Sequence, residues 1–92
     1  MMRLIDYSDP IEVERRAKEI FSNDVILAKS NRKDKKYKIY LNGKWINFGQ
    51  MGYEDYTRHQ DEKRRANFRN RNKRWSKMNY DTPGFLSYYL LW

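Results

Sequence analysis

The first hydrophobic pattern along the chain is that of an amphipathic helix. Apolar side chains recur at i, i+4, i+7 and i+8 and so share one helical face: Val13, Ala17, Ile20 and Phe21. Asp9 is a suitable N-cap for this helix, and Pro10 suits its first position because proline lacks the N–H that would be unpaired there. The sequence therefore predicts an N-terminal helix within residues 1–23.

The next pattern alternates with a period of two and predicts a β-hairpin around Asn42-Gly43. That pair is preferred in two-residue type I′ turns, where both residues need positive φ. The turn fixes the register, so Tyr40 should face Trp45 and Ile39 should face Ile46. One hairpin face is apolar: Tyr37, Ile39, Leu41, Ile46 and Phe48. Pairing with the apolar run 25–29 would give a three-stranded antiparallel meander.

Two further helices are predicted after the sheet. Asp61 can cap a helix over residues 62–75, whose apolar stripe is thin, so most of its surface should face water. Thr82 can cap a short last helix that is apolar all round and therefore expected to be buried. The alternative for this C-terminal aromatic cluster is a partner-binding surface. The segments 53–60 and 76–81 are predicted to be irregular.

These elements predict one small α+β domain over residues 1–92. Its order is an N-terminal helix (1–23), then a module (24–92) with a three-stranded antiparallel meander, a basic helix and a short apolar C-terminal helix. A chain of 92 residues suits a single domain, and an aromatic content of 16% favours folding because disordered chains are poor in aromatics. The core is expected between the apolar face of the sheet and the C-terminal rings.

Charge is distributed unevenly along this domain. The formal net charge is +8, yet residues 1–28 hold four basic and six acidic side chains. Residues 29–92 therefore carry the whole basic excess, with 16 basic and 6 acidic side chains. Such a surface attracts a polyanion, and nucleic acid is the commonest; anionic membranes and acidic protein surfaces are the others.

The densest positive charge lies in residues 62–77, here called the basic segment. It contains one acid and eight basic side chains: Lys63, Arg64, Arg65, Arg69, Arg71, Lys73, Arg74 and Lys77. Guanidinium groups bind phosphate through a planar fork and stack on bases. We expect this segment to bind nucleic acid without strong sequence preference and with an affinity that falls steeply with salt. The alternative is a solvated helix whose charges only maintain solubility.

A second candidate surface is the outer face of the hairpin, where Lys36, Lys38 and Trp45 are assigned to nucleic-acid binding together with the ring of Tyr40. Rings that alternate with cations on a sheet resemble the platforms on which unpaired bases stack. The alternatives are that a helix of the same domain, or a partner protein, covers this face.

Catalysis is the least favoured class. The chain has no cysteine and one histidine, which excludes disulfides, thiolate chemistry and zinc sites built from Cys or several His. A minimal nuclease would need His59 as base and Glu54, Asp55 or Asp61 as metal ligands, but carboxylates beside a basic helix more often cap it or pair with arginine. We therefore expect no enzyme, cofactor, metal or small-molecule substrate.

Membrane insertion and secretion are also disfavoured. No apolar run approaches the roughly 20 residues of a membrane-spanning helix, and the N-terminus lacks the apolar centre of a signal peptide. Small secreted domains usually contain disulfides, so an intracellular location is expected.

Several motifs in combined order carry a resemblance to a known family. They are KKYKIYLNGK at 35–44, INFG at 46–49, YEDYT at 53–57 with His59 and Asp61, RRANFRNR at 64–71, TPGF at 82–85 and the final Leu91-Trp92. In this order they resemble a family of small uncharacterised basic proteins of giant and other large DNA viruses, with a similar module in marine tailed phages. The resemblance covers about residues 25–92. Family members often have histidine where this chain has Asn72.

The resemblance implies a component of the virion or of the viral replication factory and offers no activity or catalytic residues. We therefore expect a non-enzymatic viral protein, associated with the virion or the genome, that binds DNA or RNA. The expected location is the virion, or the cytoplasm or nucleus of the host cell. The alternative is a minor capsid or scaffold protein that binds other virion proteins.

Overall fold

A three-stranded antiparallel sheet forms the centre of the protein in a computed structural model, which describes residues 2–92. The strands lie in the order β1-β2-β3: β1 (Ile26–Lys29), β2 (Lys35–Leu41) and β3 (Lys44–Gln50). Tyr40 lies opposite Trp45 and Ile39 opposite Ile46, so the predicted register is confirmed. Asn42 and Gly43 have φ of 53° and 75°, the positive values that a type I′ turn requires.

The predicted N-terminal helix is confirmed as α1 (Pro10–Ile20). The Asp9 carboxylate caps it by accepting hydrogen bonds from the backbone N–H groups of Ile11 at 3.1 Å and Glu12 at 3.4 Å. Of the predicted apolar face, Val13 and Ala17 are fully buried. The helix therefore packs through its middle turns, and its last turn lies at the edge of the core.

The helices after the sheet are shorter than the sequence predicts. They are α2 (Tyr56–His59), α3 (Glu62–Arg71), a 3-10 helix (Lys73–Lys77) and α4 (Pro83–Leu86), which continues into a π-helical turn (Ser87–Leu91). The prediction of one helix over 62–75 is wrong, because Asn72 leaves the helical backbone with φ −111° and ψ 28°. The Asn72 side chain donates to the carbonyl of Phe68 at 3.0 Å, which is how asparagine competes with helix continuation.

The prediction of irregular structure over 53–60 is wrong for the four residues of α2. A single turn is too short to show a helical period in the sequence. Its end is set by Gln60, which adopts a left-handed conformation with φ 54° and donates its N–H to the carbonyl of Tyr56. Asp61 then caps α3 as predicted, accepting from the N–H groups of Lys63 and Arg64.

The core lies between the apolar face of the sheet, α1 and the C-terminal helix. Its buried side chains are Leu4, Val13, Ala17, Tyr37, Ile39, Ile46, Phe48, Leu86, Leu90 and Leu91. The C-terminal contribution therefore comes from leucines, and the expectation that the C-terminal rings fill the core needs correction. Phe85 and Trp92 are half-buried and pack at its edge. A helix that is apolar all round turns one side to the sheet and leaves its other side chains at the rim.

Gly49 marks a close approach between β3 and the C-terminal segment. Its φ is 81°, and a Cβ placed there would lie 2.8 Å from Cδ1 of Leu91 and 3.1 Å from Cβ of Lys36. Leu91 is almost fully buried and has little room to move. Gly43 is a matched comparison, because its φ is 75° and a Cβ there would meet nothing within 4 Å.

We expect Gly49→Ala to destabilise the protein more than Gly43→Ala does. Both substitutions force alanine into the left-handed region, at about 1–2 kcal/mol. Gly49→Ala adds an overpacking cost of about 1–3 kcal/mol. Urea unfolding of the two variants measures the difference, and equal losses would contradict a tight contact at Gly49.

Candidate nucleic-acid interface

Six of the eight cations of the basic segment project into solvent. They are Lys63, Arg64, Arg71, Lys73, Arg74 and Lys77. Within residues 2–92, none of these six forms an ion pair, and the basic segment has one ion pair in all, between Arg65 and Glu62 at 3.7 Å. These six cations are therefore exposed to solvent without a carboxylate in direct contact.

Several carboxylates outside the basic segment are paired with cations that also lie outside it. Glu12 binds Arg15 at 2.7 Å and Arg16 at 3.1 Å, and these guanidinium groups lower the pKa of Glu12 to about 2. Asp81 faces Lys44 at 3.7 Å. The acidic N-terminal part thus pairs mainly within itself, and the excess charge remains on the basic segment.

Arg65 and Arg69 need correction as interface residues, because both are half-buried against the protein body. Nε of Arg65 donates to the backbone carbonyl of Trp92 at 2.8 Å, and its guanidinium lies 4.5 Å from the ring centroid of Tyr56. The Arg69 guanidinium lies 5.0 Å from the ring of Tyr88, and burial lowers its pKa, with Arg65 acting in the same direction. Four residues apart, the two arginines share the helix face that packs inward.

Lys36 alternates onto the same face of β2 as Lys38, but its assignment to nucleic-acid binding needs correction because its side chain is covered. Its side chain is only 3% exposed, and Nζ donates to the carbonyls of Tyr53 at 2.6 Å and Tyr7 at 3.3 Å and to the Asp55 carboxylate at 3.0 Å. The chain that follows β3 folds back over this end of the sheet. Burial lowers the pKa of the Lys36 ammonium, and Asp55 opposes that shift.

A buried hydrogen-bond network surrounds this ion pair. The Thr57 hydroxyl donates to Asp55, and its oxygen accepts from the N–H of Asp9 at 3.0 Å and lies 3.2 Å from the Ser8 hydroxyl. The phenol of Tyr37 donates to Ser8 at 2.7 Å, and burial raises the pKa of that phenol. Three separate parts of the chain therefore meet here: the residues before α1, the start of β2 and the start of α2.

Lys38 and Trp45 lie on the open part of the sheet, as predicted. Nζ of Lys38 lies 4.5 Å from the centroid of the Trp45 ring, and Tyr40 contacts the same ring edge-on at 5.3 Å. Trp45 is 45% exposed. Ile26 pairs with Tyr40, which pairs with Trp45, so exposed apolar side chains form a row across all three strands. Within residues 2–92, no helix covers this row.

Two of the carboxylates considered for a nuclease have other partners. Asp55 is buried against Lys36, and Asp61 is the N-cap of α3. Nδ1 of His59 accepts the N–H of Asp61 at 2.9 Å. Among residues 2–92, no three His, Cys, Asp or Glu side chains are grouped closely enough to hold a metal ion. Asp55 and Asp61 are therefore engaged in holding the fold together.

A groove of about 500 Å³ lies beside α3 and was not predicted. Its polar wall contains Arg64, Asn67 and Arg71, which share a helix face at spacings of three and four residues. Its aromatic lining comes from separate parts of the chain: Tyr53, Phe68, Trp75 and Trp92. The 64/67/71 spacing was a visible signal in the sequence, but nothing local indicated that Tyr53 and Trp92 would lie opposite it.

We expect Lys36→Met to destabilise the protein by about 3–5 kcal/mol, because the substitution leaves the Asp55 carboxylate buried without a counter-charge. Lys44→Met is the control, since Lys44 is 61% exposed in its pair with Asp81 and solvent screens such pairs to about 1 kcal/mol or less. Chemical denaturation measures both. A loss for Lys36→Met no larger than that of the control would show that the buried pair contributes little.

We expect His59, the one histidine of the chain, to titrate below its usual pKa of roughly 6.5. Burial lowers the pKa of His59, and the positive charge of Arg64 adds to the effect. The unfolded chain then binds more protons in the interval just below pH 6.5, so stability should fall as the pH drops through that interval.

NMR of the imidazole measures this titration directly. Arg64→Ala should raise the midpoint, whereas Arg74→Ala, which is not among the charges acting on His59, should leave it unchanged. A wild-type midpoint at or above 6.5 would contradict a dominant effect of burial and Arg64 on the pKa of His59.

Comparison with known proteins identifies a family without identifying a function. Residues 25–81, from just before β1 to beyond the 3-10 helix, match the profile of a family of unknown function (DUF5754). No curated protein and no solved structure matches the chain. Among the described residues, no helix has the length and apolar composition needed to cross a bilayer. Because the match spans more than half of the sequence, the chain belongs to this family of unknown function, DUF5754.

Proposed function

We propose that this protein is a non-enzymatic nucleic-acid-binding protein that contacts phosphates through the exposed cations of the basic segment. The observation that carries the proposal is a set of six solvent-facing cations within residues 62–77, none of which forms an ion pair with another of the described residues 2–92. Like charges held this close repel one another and destabilise the fold, and an anionic partner relieves that repulsion.

The expected mode of binding is contact with the backbone of the nucleic acid. Arginine forks and lysines that bind phosphate set position and affinity but read no sequence. Each phosphate neutralised releases condensed counterions, so affinity should fall with added salt. Lys38 and Trp45 on the open sheet face offer a second contact surface, with a cation beside a ring. The proposal therefore predicts broad sequence tolerance.

The viral part of the proposal rests on the resemblance described above. A small basic protein of a large DNA virus that binds nucleic acid would be associated with the genome or the virion. Its location would be the virion, or the cytoplasm or nucleus of the host cell. The motifs that carry the resemblance include 64–71, which is all of α3 except its first two residues.

A second candidate is a minor capsid or scaffold protein that binds other virion proteins. The observation that favours it is the exposed apolar row of Ile26, Tyr40 and Trp45 across the sheet. Aromatic side chains of this kind are enriched in the centres of protein interfaces. In this case the basic segment would face acidic protein surfaces.

We expect binding to random-sequence DNA to weaken steeply with salt, by roughly a thousandfold between about 50 and 200 mM if all six exposed cations neutralise phosphates. Replacing both Arg71 and Arg74 with alanine should reduce the slope of log affinity against log salt by about two, one for each lost contact. Gel shifts over a salt series measure that slope.

The matched control removes two cations from the acidic N-terminal part, Arg3→Ala with Lys18→Ala. Both of these side chains are exposed and already paired with carboxylates, so the slope should not change. Equal slopes for the two double variants would reject the basic segment as the contact surface. Absence of any shift at low salt would reject nucleic-acid binding and favour the protein-binding candidate.

A further inference from the structure

We infer that the groove beside α3 holds one unpaired base, so that the protein binds single-stranded nucleic acid more tightly than duplex. This inference rests on the proposed function and adds the class of nucleic acid. The groove is lined on one side by Arg64, Asn67 and Arg71 of α3 and on others by Tyr53 and Trp92. It therefore combines cations, an amide and rings, which are the groups that bind a nucleotide.

The size of the groove suits a single base. Its volume of about 500 Å³ lies within the roughly 300–1,000 Å³ of small-molecule sites. The bases of a duplex are stacked and paired inside the helix, so a duplex offers this protein mainly its phosphates. A single strand can turn one base into the groove without breaking pairs, because it has none.

The polar wall places positive charge on both sides of a hydrogen-bonding amide. Arg64 and Arg71 are seven residues apart, which separates their Cα atoms by about 10.5 Å along the helix axis. Both side chains are exposed and, within the described residues, neither forms an ion pair. Asn67 lies between them and can both donate to and accept from the edge of a base. The arginines are placed to bind the phosphates that flank this base.

The aromatic side of the groove has one fixed pair of rings and one free ring. Phe68 and Trp92 stack at 4.2 Å with an interplanar angle of 6°, and Trp75 contacts Phe68 edge-on at 5.9 Å. Tyr53 is 67% exposed, although its backbone carbonyl is held by Lys36. An exposed ring on a fixed backbone provides a stacking surface with little loss of conformational freedom on binding.

Glu54 also lines the groove, and a carboxylate there would repel a phosphate placed in the groove. The same oxygens accept hydrogen bonds from the exocyclic amino group of a base. The phosphates therefore stay at the arginine wall, and the base points inward.

The test compares a labelled single-stranded oligonucleotide of mixed sequence with the duplex formed from it, by fluorescence anisotropy at one salt concentration. The wild-type protein should bind the single strand more tightly. Tyr53→Ala should weaken binding of the single strand roughly fivefold or more and leave duplex binding unchanged, because only the single strand stacks on the ring. Tyr53→Phe keeps the ring and should bind as the wild type does.

Tyr80→Ala is the matched control, since Tyr80 is 46% exposed, lies outside the groove and should affect neither probe. Equal wild-type affinity for the two probes would overturn the inference, as would Tyr53→Ala binding the single strand like the wild type. Both results leave the proposed function standing, because DNA is still bound. Failure to bind either probe would overturn the proposed function and the inference together.

Discussion

The buried ion pair between Lys36 and Asp55 is the constraint on which the rest of the structure depends. Removing two charges from water costs several kcal/mol each, and this cost is offset only if every donor and acceptor is satisfied. Here the three donors of the ammonium meet three acceptors. The hydroxyl groups form a chain of hydrogen bonds in one direction, in which Tyr37 donates to Ser8, Ser8 to Thr57 and Thr57 to Asp55.

This pair also links the core to the candidate binding surface. Lys36 belongs to β2, and the groups it binds lie before α1 and just before α2. The ion pair therefore holds the segment after β3 against the end of the sheet, and α3 follows that segment directly. Tyr53 has its backbone fixed and its ring exposed for the same reason. The buried ion pair between Lys36 and Asp55 thus helps to determine where the basic segment lies.

The sequence predicted those parts of the fold that local chemistry determines. Asn42-Gly43 fixed the hairpin register, and side chains at Asp9, Asp61 and Thr82 began helices where they were expected. Alternation along a strand, however, shows only the side on which a residue lies and not what covers that side. For this reason the sequence did not predict that Lys36 is buried. The groove joins the loop before α2, α3 and the chain's last residues, and no local pattern reports such distant contacts. Its one local signal was the shared face of residues 64, 67 and 71.

The interruption of the basic helix at Asn72 changes the shape of the charged surface. The cations of α3 lie on an α-helix, and those of the 3-10 helix, including Lys73 and Arg74, follow the break at Asn72. Under the proposed function, a nucleic acid would have to meet both sets of cations across this break. Double-stranded DNA resists bending over about 150 base pairs, whereas an unpaired strand curves at little cost. A flexible ligand would therefore adapt to the two parts of the basic segment more readily than a stiff one.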